Sequence, residues 1–169
     1  MKLETIKKID KIVVNAGIGK LASQPNFTDK VLPEIIKEFA LITGQKPAER
    51  PAKKSIAGFK IRAGMIVGLK ATLRSSRMRD FLMRVSKVIL PRIRDFRGIS
   101  DNSIDHNGNL TLGIRENIAF PEVNPEASKT NFGVEITIVP KNVKSREEAI
   151  EMYKELGIPF KKSEARSKK

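Results

Sequence analysis

Hydrophobic residues recur along this chain with two different periods, and the points where the period changes mark its elements. Ile9 to Asn15 is rich in valine and isoleucine and is bounded by Ala16-Gly17-Ile18-Gly19, which predicts a β-strand ending in a glycine turn. A helical repeat follows: Phe27, Val31, Ile35 and Phe39 are four residues apart, with Leu32 and Ile36 beside them, and Gly44 closes the run. Pro33 lies inside it and has no amide hydrogen to donate, so it should kink the helix or delay its start. A short second strand is expected around residues 46–50, leading into a long irregular basic segment from Pro51 to Gly64. Between Met65 and Arg74 the period is two, with Leu69, Ala71 and Leu73 on one face and Lys70, Thr72 and Arg74 on the other. A second helix should begin at Ser75 or Ser76, carry Met78, Phe81, Leu82, Val85, Val88 and Ile89 on one stripe, and stop before Pro91.

Two further strands alternate with the same one-sidedness. Leu110, Leu112 and Ile114 are interleaved with Thr111, Gly113 and Arg115, and Val134, Ile136 and Ile138 with Glu135 and Thr137. The last helix has the fullest set of markers: Ser145 with Glu148 forms a capping box, Ala149, Met152, Tyr153 and Leu156 form a stripe, and Gly157 and Pro159 end it. Five strands with one apolar face each, and three helices with one apolar stripe each, predict a single α+β domain over residues 1–160. Its sheet is mostly antiparallel with about five strands, helices pack on one face, and the other face stays open and polar. By alternation the open face carries Lys11 and Asn15 from the first strand and Lys70, Thr72 and Arg74 from the third.

Charge gives that face a meaning. Of the 33 lysines and arginines, 15 lie between Lys46 and Arg97 beside only three acids (Glu49, Asp80 and Asp95), so this stretch carries +12 of the net +14. Residues 161–169 form a basic tail contributing a further +4, and the rest of the chain is slightly acidic at −2. A field concentrated in this way attracts a polyanion, and nucleic acid is the usual one, because neutralised phosphates release condensed counterions. With no tryptophan, one tyrosine and 5% aromatic residues, the chain is poorly suited to binding single strands through a series of stacked bases. Phosphates, sugars and shape are the expected targets. No apolar run approaches the ~18 residues that span a bilayer, which predicts no membrane association and a cytoplasmic protein. The absence of cysteine removes disulfides and thiolate chemistry.

Enzyme chemistry finds little support. Gly17-Ile18-Gly19-Lys20-Leu21-Ala22 fits the dinucleotide pattern G-x-G-x-x-A after a predicted strand, but Ser23-Gln24-Pro25 interrupts the helix that should open on it. Glu38, about 20 residues on, lies inside a helix instead of ending a second strand. A glycine turn is the better reading. The sole histidine, His106, lies in the turn-forming sequence Asp105-His106-Asn107-Gly108-Asn109, and no set of metal ligands surrounds it. Glu147, Glu148 and Glu151 suit a helix start and a solvated face. Ser55, beside Lys53 and Lys54, is better placed as a phosphate contact than as a nucleophile. No cofactor, metal or small-molecule substrate is expected. The competing reading of the charge alone is a general nucleic-acid-binding or RNA-chaperone protein.

Three strings narrow the choice: residues 52–62 (AKKSIAGFKIR), residues 70–74 (KATLR) and residues 90–98 (LPRIRDFRG). Together with Gly108-Asn109, Thr111-Leu112-Gly113-Ile114, Phe120-Pro121-Glu122 and Leu156-Gly157-Ile158-Pro159-Phe160, they resemble the bacterial family of ribosomal protein five of the large subunit, in order and over nearly the whole chain. The resemblance implies a non-catalytic protein of the central protuberance that binds 5S rRNA. In that family an Asn ending the first strand, a Gln after the first helix and a Thr on the third strand recognise the RNA, and these match Asn15, Gln45 and Thr72. Lys11, Lys46, Lys70 and Arg74 then supply charge around them. The family's loop toward the peptidyl-site tRNA matches the basic loop at 51–65, where Lys53, Lys54, Ser55, Gly58, Lys60 and Arg62 are the candidate contacts. The resemblance also implies a bridge to the small-subunit head through small-subunit protein thirteen. The basic tail at 161–169 falls outside the resemblance, and its charge suits either an additional anchor on large-subunit rRNA or a plain solubilising tail.

Two departures stand out. Bacterial relatives usually carry a helix before the first strand, whereas this sequence starts almost at the strand. Ile66 also stands where proline is common after Gly64-Met65, which implies a less rigid loop stem on that side.

Overall fold

The computed structural model describes residues 3–22, 26–93, 96–126, 128–143 and 145–161. A single helical turn, α1 (Leu3–Ile6), leads into β1 (Ile9–Gly17), which ends in the short helix α2 (Gly19–Ala22). A π-helical turn at Phe27–Val31 opens α3 (Leu32–Thr43), followed by β2 (Ala48–Pro51) and β3 (Ile66–Leu73). Next come α4 (Ser75–Arg84), a second π-helical turn at Val85–Ile89, and α5 (Leu90–Arg92). Strands β4 (Leu110–Ile114) and β5 (Val134–Pro140) precede the last helix, α6 (Arg146–Glu155). The basic tail expected at 161–169 falls, after Lys161, outside the described residues, as do Ser23-Gln24-Pro25 and the Arg94-Asp95 pair of the 90–98 string.

The five strands form one sheet in the order β2-β3-β1-β5-β4, and every pairing is antiparallel. Register converts the alternation of each strand into rows across the sheet. Leu73, Ile12, Ile138 and Leu110 lie side by side on β3, β1, β5 and β4, and so do Ala71, Val14, Ile136 and Leu112; all eight are buried. The helices cover this side, contributing Ile35, Phe39, Phe81, Leu82, Val85 and Tyr153 to the same core. β2 is an edge strand with all four residues exposed, and it starts two residues later than the sequence pattern suggests.

Both proline-containing helices handle the proline in the same way. In the first, regular α geometry starts only at Leu32 with Pro33 in its first turn, the delayed start that the sequence suggests, whereas the second does not stop before Pro91 but continues through it to Arg92. In each case a π turn ends just before a Leu-Pro pair, and the leucine amide bonds five residues back: Leu32 N–H to the Phe27 carbonyl, Leu90 N–H to the Val85 carbonyl. The extra residue in that turn lets the chain absorb a proline that neither donates nor tolerates a carbonyl close beneath its ring. The wider turn also shifts the helix phase, which leaves Val88 exposed instead of on the buried stripe.

The Asp105–Asn109 segment is a tight turn, as expected, with His106 exposed at its tip. The Asp105 carboxylate accepts bonds from the Asn107 and Asn109 amides and from the Asn109 side chain. Slight burial opposes ionisation, but these donors outweigh it and hold the carboxyl below its ordinary range. Ser145 caps α6 by accepting from the Glu148 amide.

Two contacts between distant segments are testable. Gly98 has φ +97°, and a Cβ there would lie 2.7 to 2.9 Å from the backbone of Phe160 and Lys161, where the chain is bonded through Ile99. Gly98→Ala should therefore lower unfolding free energy by at least about 2 kcal/mol, combining left-handed strain with overlap. Gly58→Ala, with open space around it, should leave denaturant midpoints nearly unchanged. The buried Tyr153 hydroxyl donates to the Gly108 carbonyl at 2.8 Å, with the Ile138 carbonyl at 3.1 Å, and burial pushes the phenol well above its ordinary pKa. The folded state thus holds this proton more tightly than the unfolded state. Its stabilising linkage is complete below pH ~10 and is lost as pH rises toward the folded value. Tyr153→Phe should cost about 1–2 kcal/mol at neutral pH and flatten the fall in stability above pH ~10, as read by urea unfolding.

Candidate nucleic-acid interface

The side of the sheet away from the helices is built by the same register. One row crosses Ala48, Lys70, Asn15, Glu135 and Gly113; the next crosses Thr72, Val13, Thr137 and Thr111. Asn15, Lys70 and Thr72, nominated from sequence, therefore lie on adjacent strands of one surface, with Asn15 directly opposite Lys70. Thr111 and Thr137 bring their hydroxyls within 3.4 Å of each other farther along the second row. Glycines keep the end of this face low: Gly17, Gly113 and Gly133 line a shallow depression with Asn15 and Glu135. The face thus presents amide, hydroxyl, ammonium and carboxylate groups around Val13.

Gln45 joins the array from outside the sheet. Gly44, with φ +71°, ends α3 and turns the chain back, and the buried Thr43 hydroxyl lies 2.9 Å from both the Phe39 and Gln45 carbonyls, fixing the turn. The Gln45 side-chain amide then donates to the Thr72 carbonyl at 3.4 Å, while Arg77 reaches its oxygen at 3.5 Å. Lys46 follows Gln45 and lies near it at the same end of the sheet, preceding β2. Arg77 carries no sequence signal for this role: it sits in the first turn of α4, and only the fold brings it within reach of a residue 32 positions earlier.

Charge on the face is graded and not uniform. Lys70, Lys11 and Arg50 lie on the β2-β3-β1 side, whereas Glu135 on β5 faces Asn15 from the other side. A phosphate would be drawn to the first half; in the second, Glu135 shares its depression with the exposed Arg115, so one acid and one cation lie there beside the threonines. At the far end Asp10 pairs with Arg74 at 3.2 Å and with Lys11 at 3.6 Å. Two nominated cations are therefore already partly neutralised by one acid, which sequence spacing gave no reason to expect for Arg74.

The basic segment between β2 and β3 is not irregular. It extends the β2-β3 hairpin through bonds from the Ala52 amide to the Met65 carbonyl (2.8 Å) and from the Gly64 amide to the Ala52 carbonyl (2.9 Å). Beyond them Ile56 and Ile61 bond each other both ways around a 3-10 turn at Ala57–Phe59. Ser55 serves this architecture, its hydroxyl accepting from the Ala63 amide at 2.9 Å. Lys53, Lys54, Gly58 and Lys60 are exposed around it, and Arg62 follows Ile61 on the returning arm. The glycine turn after β1 lies against this stem, since the position of a Cβ on Gly19 would be 3.7 Å from Ile61. The loop leaves β3 at Ile66, four residues or roughly 13 Å of strand from Lys70, so the two cationic regions are distinct surfaces. Among the described residues no cluster of His, Cys, Asp or Glu has the geometry to hold a metal ion.

Comparison with known proteins accords with this architecture. The family described as "Ribosomal protein L5" matches residues 5–62, and the model of that ribosomal family's C-terminus matches residues 66–160. The large ribosomal subunit protein uL5 of Lactobacillus johnsonii is 49% identical over 157 residues, covering 93% of this chain and 84% of that protein. The proteins of the same name from Halothermothrix orenii and Pseudothermotoga lettingae are 46% and 45% identical over 155 and 160 residues. They are covered over 84% and 85% of their lengths, against 92% and 95% of this chain.

If Asp10 restrains the positive field at the end of the sheet, Asp10→Asn should free both Arg74 and Lys11 for an external anion. The variant should elute from a heparin column at higher salt than the parent protein, with unchanged thermal stability.

Proposed function

The chain belongs to the L5 family of large-subunit ribosomal proteins, and from that premise we propose that the open face of its sheet holds 5S rRNA in the central protuberance. As a member it is a non-catalytic constituent of the cytoplasmic ribosome. The observation that carries the assignment is the convergence of Asn15, Lys70 and Thr72, from two strands, on one face of the sheet, with the Gln45 side chain bonded to the Thr72 backbone from a third segment. Amide and hydroxyl groups bond the 2′-hydroxyls, base edges and phosphates of a structured RNA, and Lys11, Lys46, Lys70 and Arg74 add electrostatic attraction. Thr111, Thr137, Glu135 and Arg115 extend the contact across β5 and β4.

The hairpin loop has a different role in this proposal. Lys53, Lys54, Lys60 and Arg62, with Gly58, present charge to the peptidyl-site tRNA, a ligand that must arrive and leave. Exposed lysines serve that purpose because their phosphate contacts are individually weak and screened by salt. Ser55 holds the loop closed by accepting from the Ala63 amide, and its exposed hydroxyl keeps its own proton to donate to a phosphate beside the cations. The bridge to small-subunit protein thirteen is assigned to a surface other than the sheet face, which the RNA covers.

Binding to 5S rRNA should be tight relative to bulk tRNA and show a log-log salt slope of about −3 to −6, as for roughly four to seven neutralised phosphates. Equal affinity for unrelated RNA of the same length would favour a general RNA chaperone and overturn the assignment. Thr72→Ala should weaken 5S rRNA binding by about 1 kcal/mol or more with little change in slope. Lys53→Ala and Lys54→Ala should leave it nearly intact. Filter binding across a salt series separates these outcomes.

A further inference from the structure

Aromatic residues are scarce in this chain, and the fold uses almost all of them internally. Phe27, Phe39, Phe81, Phe120, Phe132 and Tyr153 are buried, and Phe96 and Phe160 are partly buried. The remaining one, Phe59, is 71% exposed at the tip of the basic loop, with Ile56, 48% exposed, beside it in the same turn.

This exposure is built and not incidental to a loose loop. The Phe59 amide bonds the Ile56 carbonyl, the Lys60 amide bonds the Ala57 carbonyl, and the two-way bonds between Ile56 and Ile61 close the turn. Lys60 adopts φ +55° to complete it, a conformation disfavoured for a residue with a side chain. The backbone thus accepts a strained residue next to a ring it does not bury. The surroundings define what the ring would meet. No acidic residue occurs between Arg50 and Arg79, and Lys53, Lys54, Lys60 and Arg62 flank the ring in sequence. A basic partner would be repelled, and one ring with one isoleucine is too small an apolar area for a stable protein interface. A flat π-surface flanked by anions satisfies both features, and that is a nucleobase with its neighbouring phosphates.

We infer that Phe59 is a base-stacking platform, so that the loop grips its RNA by one stacked base as well as by charge. The scarcity of aromatics excludes a series of stacked bases but leaves room for this single one. The inference rests on the assignment of the loop to tRNA. It adds a contact that salt does not screen, and the lysines cannot supply one.

Ribosomes assembled with Phe59 variants provide the test, read as the dissociation rate of deacylated tRNA from the peptidyl site at low and high salt. Phe59→Tyr and Phe59→Trp should stay within about twofold of the parent, because both retain a stacking ring. Phe59→Leu and Phe59→Ala should release tRNA at least roughly fivefold faster, by the same factor at both salts. The pair Lys53→Ala with Lys54→Ala should show a loss that shrinks at high salt. Parent-like release by Phe59→Leu, or release by the Tyr and Trp variants as fast as by Phe59→Ala, overturns the stacking inference. If only the lysine variants change release, stacking alone fails. If neither set does, the assignment of the loop to tRNA fails with it.

Discussion

The structure depends on the register of one strand. β1 is hydrogen-bonded on both sides, to β3 and to β5, and its alternation fixes which residues of both neighbours face the helices. Ile12, Val14 and Ala16 point inward and are buried, while Lys11, Val13 and Asn15 point outward. A slip of one residue would put isoleucine and valine in water and bury lysine and asparagine without partners. Core and binding surface are therefore not separate problems for this chain. The burial that holds the sheet together is what holds Asn15 opposite Lys70 and Val13 opposite Thr72.

Rigidity suits a surface that recognises a structured RNA. The outward groups sit on β-strands, whose backbone hydrogen bonds are made within the sheet and whose far side is anchored by the helical layer. That layer is itself tied across: Arg84 of α4 pairs with Glu122 and donates to the Ile42 carbonyl of α3, and Asn117 donates to Glu38. The loop presents the opposite arrangement. Its backbone is ordered by a few local bonds, but nearly all of its side chains are exposed, so its contacts form and break without disturbing the core.

Much of this was legible in the residues. The alternation of Leu69, Ala71 and Leu73 with Lys70 and Thr72, and the capping box at Ser145, depend on local periodicity and local hydrogen bonds, and they appear where the pattern places them. The misjudged features each involve a competing local option or a distant partner. Pro91 reads as a stop because an α-helix interior disfavours it, yet a π turn ahead of its Leu-Pro pair lets the helix continue. The 51–64 segment reads as irregular because its glycines and lysines carry no strand signal; its order comes from cross-loop bonds such as Ala63 to Ser55.

Near neighbours along the chain specify the elements, the apolar side of each, the concentration of positive charge and the family strings. Which polar groups meet is settled by folding. It joined Gln45 to Thr72 and Arg77, set Asp10 against Arg74, placed Glu135 beside Asn15 and left Phe59 exposed at the tip of the loop. Such contacts join segments as far apart as Asn15 and Glu135, or depend on what the rest of the fold leaves uncovered. No period along the chain encodes them. They follow from sheet order and register, which the packing of the whole core selects.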